Sequence, residues 1–147
     1  MPSKFAKIKP NIWRTKLKGF SIEAKLLGIF LMTNEFCVMV GIYHIPKINM
    51  VLSTGLSEKQ VDKALAELIE GEFCCFEEDS SFIWVKDMAK TQVADNPNEK
   101  QRKGVLNEIT RLANDDECPF VDPFLKHYSK LFKLPEDKEF LEYDVEY

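Results

Sequence analysis

Residues 46–60 carry two helix starts separated by one helix stop, which together call for a short helix, a tight turn and a longer helix. Pro46 suits the first position of a helix, because its missing N–H would have no intrahelical partner there. A short helix over residues 46–53 is predicted. Thr54, Gly55 and Leu56 then make a tight turn, and Ser57 with Gln60 forms a capping-box pair that opens a second helix reaching Glu70. Along it, Val61, Ala64, Leu65, Leu68 and Ile69 form one apolar stripe, with Lys59, Gln60, Lys63, Glu67 and Glu70 on the outer face. Gly71 ends it, and a helix-turn-helix results.

The flanking segments extend this unit. Ser21 can cap a helix over residues 22–33, where Ile22, Leu26, Ile29, Phe30 and Thr33 recur near helical spacing. A short strand is expected over residues 41–45, with Gly41 permitting a bend. Residues 73–77 and 82–86 read as a hairpin joined by the polar turn Glu78, Asp79, Ser80 and Ser81. Ile83 and Val85 share one hairpin face and Phe82 and Trp84 the other, so one pair is expected on the core and the other against carboxy-terminal helices. A base-stacking role for Trp84 is the less common use of such an aromatic. Helix, short strand, helix-turn-helix, hairpin is the order of a winged helix.

The pattern breaks at Asn96 and Pro97 and becomes helical again, with Val105, Ile109 and Leu112 on one side. Phe120, Phe124, Leu125, Tyr128, Leu131 and Phe132 predict a further helix, started or interrupted by Pro123. The expected fold class is α+β, mainly α: a winged helix-turn-helix with additional carboxy-terminal helices. Its expected divisions are a winged-helix domain with a basic arm over residues 1–95, a helical extension over 96–134 and an acidic tail over 135–147.

With 147 residues the chain has the size of one domain with appendages, and 45% hydrophobic against 30% charged residues argues against wholesale disorder. Its longest apolar run, Ile29 to Met32 extended by Leu26 and Leu27, falls far short of the roughly 20 residues that span a bilayer. No membrane partner is expected, no secretory signal follows the basic amino terminus, and the expected compartment is cytoplasmic. Cys37, Cys74, Cys75 and Cys118 form no CxxC knuckle and read as small hydrophobes. A zinc set of Cys37, His44, Cys74 and Cys75 is disfavoured, because neighbouring strand residues face opposite ways. His44 and His127 belong to no nucleophile or metal motif, and Asp115-Asp116-Glu117 lacks the glycine of a calcium loop. No enzymatic site, metal or cofactor is expected.

Net charge is -4, so any case for nucleic acid rests on distribution. Lys4, Lys7, Lys9, Arg14, Lys16 and Lys18 stand in the first twenty residues without an acid, whereas the last twelve hold Glu136, Asp137, Glu139, Glu142, Asp144 and Glu146 against Lys138. A basic contact arm and an acidic tail are one reading, and solvated termini the other. In a helix-turn-helix the second helix enters the major groove by its amino-terminal end, here Ser57, Lys59, Gln60 and Lys63. Gln60 suits adenine, and Lys59 or Lys63 suits guanine or phosphate. Lys4, Lys7, Lys9, Lys16 and Lys18 would follow the backbone. An ordinary solvated helix face is the alternative, with Asp62 weighing towards it.

Residues 8–112 resemble the winged-helix replication-initiation proteins of phages and prophages, which are similar in style to the amino-terminal domains of DnaD-type primosome proteins. The resemblance is carried by Lys9-Pro10-Asn11-Ile12-Trp13, Ser21-Ile22-Glu23-Ala24-Lys25-Leu26-Leu27, Leu31-Met32-Thr33-Asn34, Gly41-Ile42-Tyr43-His44-Ile45-Pro46 and Thr54-Gly55-Leu56-Ser57. It continues through Phe82-Ile83-Trp84-Val85-Lys86, Asn96-Pro97-Asn98 and Gly104-Val105-Leu106. What it implies is a DNA-binding protein that engages an origin or recruits a replication helicase or primosome protein, with duplex DNA as the expected partner and no catalytic residues. Two departures are Phe36-Cys37, where a polar pair is usual, and the acidic wing tip Glu77, Glu78 and Asp79, which repels phosphate. A winged helix used for protein interaction or homo-oligomerisation, and a winged-helix transcriptional regulator with a palindromic operator, remain the alternatives.

Overall fold

The computed structural model describes residues 5–141. A 3-10 turn, Pro10–Trp13, precedes α1 (Ile22–Thr33), β1 (Ile42–His44), α2 (Lys47–Thr54), α3 (Glu58–Glu70), β2 (Cys74–Phe76), β3 (Phe82–Val85), α4 (Met88–Gln92), α5 (Glu99–Ala113) and α6 (Val121–Phe132). The fold is α+β and mainly α, with one small antiparallel sheet ordered β1-β3-β2. In its register Tyr43 pairs with Ile83, and Cys75 with Trp84. The chain divides into two compact units, Met1–Gln92 and Val93–Tyr147. Among the described residues no helix is long and apolar enough to cross a membrane.

In the first unit α1 packs on α3 more extensively than any other pair of elements. Ala24, Leu27 and Leu31 of α1 meet Val61, Ala64, Leu65 and Leu68 of α3 within one core, which Tyr43, Ile83 and Val85 of the sheet also join. The apolar spacing expected for α1 marks the other side of that helix: Ile22 and Leu26 are exposed, and Ile29 and Phe30 are half-buried. The difference arises because α1 is apolar almost all round, so periodicity alone cannot choose its inner face. Ile69, expected in the stripe of α3, is likewise exposed. Leu68 beside it is fully buried, so Ile69 lies at the margin of the stripe and turns outward.

Pro46 proves to be the N-cap of α2, not its first helical residue, with an extended backbone at ψ 147°. Ser21 caps α1, its Oγ accepting from the Ala24 N–H at 3.1 Å. A buried tyrosine ties α1 to the sheet. The Tyr43 hydroxyl donates to the Leu31 carbonyl at 2.5 Å and accepts from Asn34 Nδ2 at 2.8 Å. Asn34 is also the C-cap residue of α1, and its Nδ2 donates to the Phe30 carbonyl at 3.0 Å. Burial pushes the phenol well above its ordinary value, keeping it a neutral donor.

On the hairpin, Ile83 and Val85 belong to this core, while Phe82 and Trp84 alternate to the opposite face and are also buried. Burial removes Trp84 from any stacking on single-stranded bases. At Gly71, which caps the end of α3, a Cβ would stand 2.6 Å from the Phe20 ring, an approach the sequence does not display. The left-handed residue that turns the chain is the following one, Glu72, at φ 61°. Phe20 in turn meets Phe73 edge-on, with ring centroids 6.5 Å apart.

The second unit opens with a second capping box, in which Asn98 Oδ1 accepts from the Gln101 N–H and Gln101 Oε1 from the Asn98 N–H. Val105, Ile109 and Thr110 are the buried side of α5, and Leu112, expected with them, is half-buried. Pro123 starts α6 and does not interrupt it: within the first turn its missing N–H has no helical acceptor to lose. Phe124, Tyr128 and Phe132 stack along its buried face, with successive centroids 4.8 and 5.3 Å apart. Part of the acidic tail, including Glu142, Asp144 and Glu146, lies outside the described residues, as does Lys4.

Gly41 gives the sharpest test of the packing. Its φ is +81°, and a Cβ would meet the Val85 carbonyl oxygen at 2.7 Å and Met88 Cβ at 2.8 Å. Gly41→Ala is expected to destabilise the first unit by more than about 1 kcal/mol. Gly104→Ala in α5, where nothing lies within 4 Å, is expected to stabilise by about 0.5–1 kcal/mol. Urea unfolding followed by circular dichroism distinguishes the two signs.

Candidate nucleic-acid interface

The turn between α2 and α3 is held by side chains on both sides. Gly55 adopts φ 80° and its N–H donates to the Val51 carbonyl at 3.0 Å, closing α2. Thr54 Oγ1 donates to the Met50 carbonyl at 2.6 Å and accepts from the Leu56 N–H at 3.2 Å. Ser57 Oγ then accepts from the Gln60 N–H at 3.2 Å, and Gln60 Oε1 from the Ser57 N–H at 2.9 Å. This rigid start presents Ser57, Lys59, Gln60 and Lys63 to solvent, while Val61 and Ala64 anchor the same turns in the core.

Two of these four residues are already engaged by the cap. A bidentate contact with adenine needs both the carbonyl and the amide nitrogen of Gln60. With Oε1 committed to the Ser57 N–H, full readout would require opening the capping box. Lys59 and Lys63 carry no such engagement with the backbone and extend from exposed positions, so the contact chemistry they suit is to phosphate oxygen or guanine.

Asp62 and the acidic hairpin tip are the electrostatic objection to this surface, and the structure supplies a counter-charge. Lys47, at the first turn of α2, places its Nζ 2.8 Å from Asp62 and 2.7 Å from Glu78. One ammonium thus bridges α2, α3 and the hairpin turn. Its partners are 15 and 31 residues away in sequence, by subtraction of their numbers, so no local spacing announces the triad. The hydrogen bond to Asp62, then that to Glu78, holds the Lys47 ammonium above its ordinary value.

Glu67, expected on the solvent face of α3, also has a fixed role. Its carboxylate accepts from the Ser21 N–H at 2.6 Å and the Ser21 Oγ–H at 2.8 Å. A negative charge at the start of α1 is favourable against the helix dipole. Since Glu67 and Ser21 belong to the two helices that share the core, this clasp also fixes the direction in which α3 leaves it.

The arm lysines divide into different settings. Lys7 is anchored through its backbone, its N–H donating to Gln92 Oε1 at 2.9 Å and its carbonyl accepting from Gln92 Nε2 at 2.8 Å. Gln92 is buried, so this clamp ties the arm to the end of α4. Lys16 forms an ion pair with Asp87 in which both side chains stay largely exposed. Lys9, Lys16 and Lys90 line a cleft of about 300 Å3, with Phe73 on its wall. Phe73 follows the carboxy-terminal end of α3, about 18 Å along the axis from its first residue. Lys9 and Lys16 therefore lie towards the carboxy-terminal end of α3, away from Lys59 and Lys63 at its start. Lys18 is exposed between buried Leu17 and Gly19.

Elsewhere the chemistry is structural. Burial raises the thiols of Cys37, Cys74 and Cys118 above their ordinary values, Cys74 to about 12, which disfavours the reactive thiolate. Among the described residues no three His, Cys, Asp or Glu side chains gather as a metal cage. His44 is exposed and packs edge-on to Phe82 at 6.0 Å.

Lys47→Ala tests the triad. Because the pairs are partly exposed, it is expected to cost less than about 1 kcal/mol. A lysine raised on folding stabilises fully below its unfolded value and loses that contribution as pH rises through the folded one. The difference from wild type should therefore be constant from neutral pH up to the ordinary value of 10.5 and shrink above it, as urea titrations would read. In comparison with known proteins, no family model, curated protein or solved structure matches the chain.

Proposed function

We propose that the first unit is a winged helix-turn-helix that binds duplex DNA, with α3 as the helix that enters the major groove and the β2–β3 hairpin as the wing. The role this fits is that of a phage- or prophage-type cytoplasmic replication protein, which engages an origin or recruits a helicase or primosome protein. One observation carries the reading: the capped start of α3 displays Ser57, Lys59, Gln60 and Lys63 to solvent, while Lys47 pairs with both Asp62 and Glu78 beside them and offsets one of their two charges. Lys59 and Lys63 are the primary contacts. Lys7, Lys9, Lys16 and Lys18 add backbone contacts towards the other end of the helix, and Lys4, outside the described residues, belongs to the same arm.

A winged helix that contacts protein is the competing reading. Residues 58–79 hold eight acids (Glu58, Asp62, Glu67, Glu70, Glu72, Glu77, Glu78 and Asp79) against Lys59 and Lys63, and one bridging lysine offsets only part of that charge. Exposed Trp13 and Ile22 also favour a protein contact somewhere on this unit.

Fluorescence anisotropy with duplex and single-stranded DNA at about 50 and about 200 mM salt separates the two. For Lys59→Ala/Lys63→Ala, affinity for duplex should fall and the log-log salt slope should flatten by about 0.9 for each phosphate that is no longer neutralised. Lys47→Ala should weaken duplex binding as well, by releasing Asp62 and Glu78. Absence of salt-sensitive binding to any DNA would sink direct contact and leave the protein-interaction reading.

A further inference from the structure

The cleft of about 300 Å3 on the first unit is bounded by two of its segments. The arm with its 3-10 turn supplies one wall, and residues 85–91, from the end of β3 into α4, supply the other. Met32, Phe73 and Met88 reach it from the core: all three are buried, yet each contributes to its lining. Charged groups stand at the rim, where Lys9, Lys16 and Lys90 are exposed and Asp87 is half-buried. An apolar interior with a few charged groups at its edge is the construction of a ligand pocket, and this volume is at the lower end of the usual range of roughly 300–1,000 Å3.

The walls are held in place by the protein itself. Gln92 grips the backbone of Lys7 by hydrogen bonds of 2.9 and 2.8 Å, and Pro10 fixes the backbone at the start of the turn. Ile12 and Leu17 are buried anchors on either side of Thr15 and Lys16. The Lys16–Asp87 ion pair then joins one wall to the other. A preformed cleft loses little freedom when it is filled.

Charge and chemistry select the occupant. Among the lining residues three lysines stand against Asp87, and three minus one leaves a net charge of +2 facing the interior. Lys16 already offsets Asp87, so the surplus is carried by Lys9 from the arm and Lys90 from α4. An anionic head group is complementary to that rim. The interior sets the body of the ligand: the thioethers of Met32 and Met88 and the ring of Phe73 favour an aromatic plane, since sulfur and ring edges make favourable contacts with aromatic rings.

We propose that this cleft binds a small aromatic anion, a ring system carrying one carboxylate or phosphate, with the ring against Met32, Phe73 and Met88 and the head group between Lys9 and Lys90. Asn11 and Thr91, which also line the cleft, supply hydrogen bonds to the head group. The inference does not rest on the DNA-binding reading, whose primary contacts Lys59 and Lys63 belong to the start of α3.

Amide NMR spectra of the isotope-labelled full chain, titrated with naphthoate, with naphthyl phosphate and with naphthol as the neutral control, test it. At least one of the two anions should move the amides of Thr15, Lys16, Met88 and Thr91 saturably, and the tighter of the two names the head group. Naphthol at the same concentrations should leave them in place. Lys90→Glu, an exposed substitution outside the DNA contacts, should weaken the anion by about tenfold. Thr91→Phe, which fills the cleft, should abolish binding, and the same spectra show whether each variant is folded. Unchanged affinity in folded Lys90→Glu overturns the proposal, as does an equal response to naphthol or no saturable shift with either anion. Shifts centred on Ile22 and Leu26 overturn it too, because they would place the ligand in the open groove on α1.

Discussion

The seam between α1 and α3 orients everything that follows it in the first unit. Leu27 and Leu31 meet Val61, Leu65 and Leu68 there, and burying side chains of this size contributes about 1.5–3 kcal/mol each before entropy is subtracted. Apolar packing has no preferred direction, so it does not by itself set where α3 points. The Glu67 carboxylate supplies direction, held by two hydrogen bonds from Ser21 at the very start of α1. At the other end of α1, Tyr43 and Asn34 bind its last carbonyls to the first strand. The helix that carries Lys59 and Lys63 is thus located by polar contacts at both ends of its neighbour.

Charge on this unit is managed locally, and its sum is a poor guide. The hairpin tip and Asp62 are acidic, but a single lysine from α2 stands between them. Such a triad is a small term in stability, because partly exposed ion pairs are screened by solvent. Its effect on the surface potential beside α3 is larger in consequence, since it leaves one net negative charge there in place of two. The arm works by a different device: Gln92 grips the backbone of Lys7 and leaves the side chain outside the clamp.

The outer stripe of α1 is the part of the molecule least explained by folding. Its inner face already supplies the core, and Ile22, Leu26 and Trp13 gain nothing by facing water. An exposed apolar stripe on one side of α1 and a capped helix start on α3 are two chemically different surfaces on one small unit.

Local signals determined the elements. The capping boxes at Ser57–Gln60 and Asn98–Gln101 come from contacts three residues apart, so the first is legible in the chain and sets the start of α3. The second has the same pattern, but the break at Pro97 beside it is the stronger signal. The boundaries of α1 follow from Ser21 and the apolar run, and the stripe of α3 is legible except at Ile69 because its polar residues define the opposite face. With five residues and no cap signal of its own, α4 has nothing in the sequence to announce it. Tertiary structure alone decided which face of α1 is inside, since a helix apolar on all sides carries no periodic preference. It alone decided that Gly71 lies against the Phe20 ring, that Glu67 reaches Ser21 and that Lys47 joins Asp62 to Glu78. These contacts link residues from 15 to 51 positions apart, by subtraction of their numbers. Only a closed chain brings such groups within hydrogen-bonding range, and that is why the elements are readable in sequence and the electrostatics of the candidate surface are not.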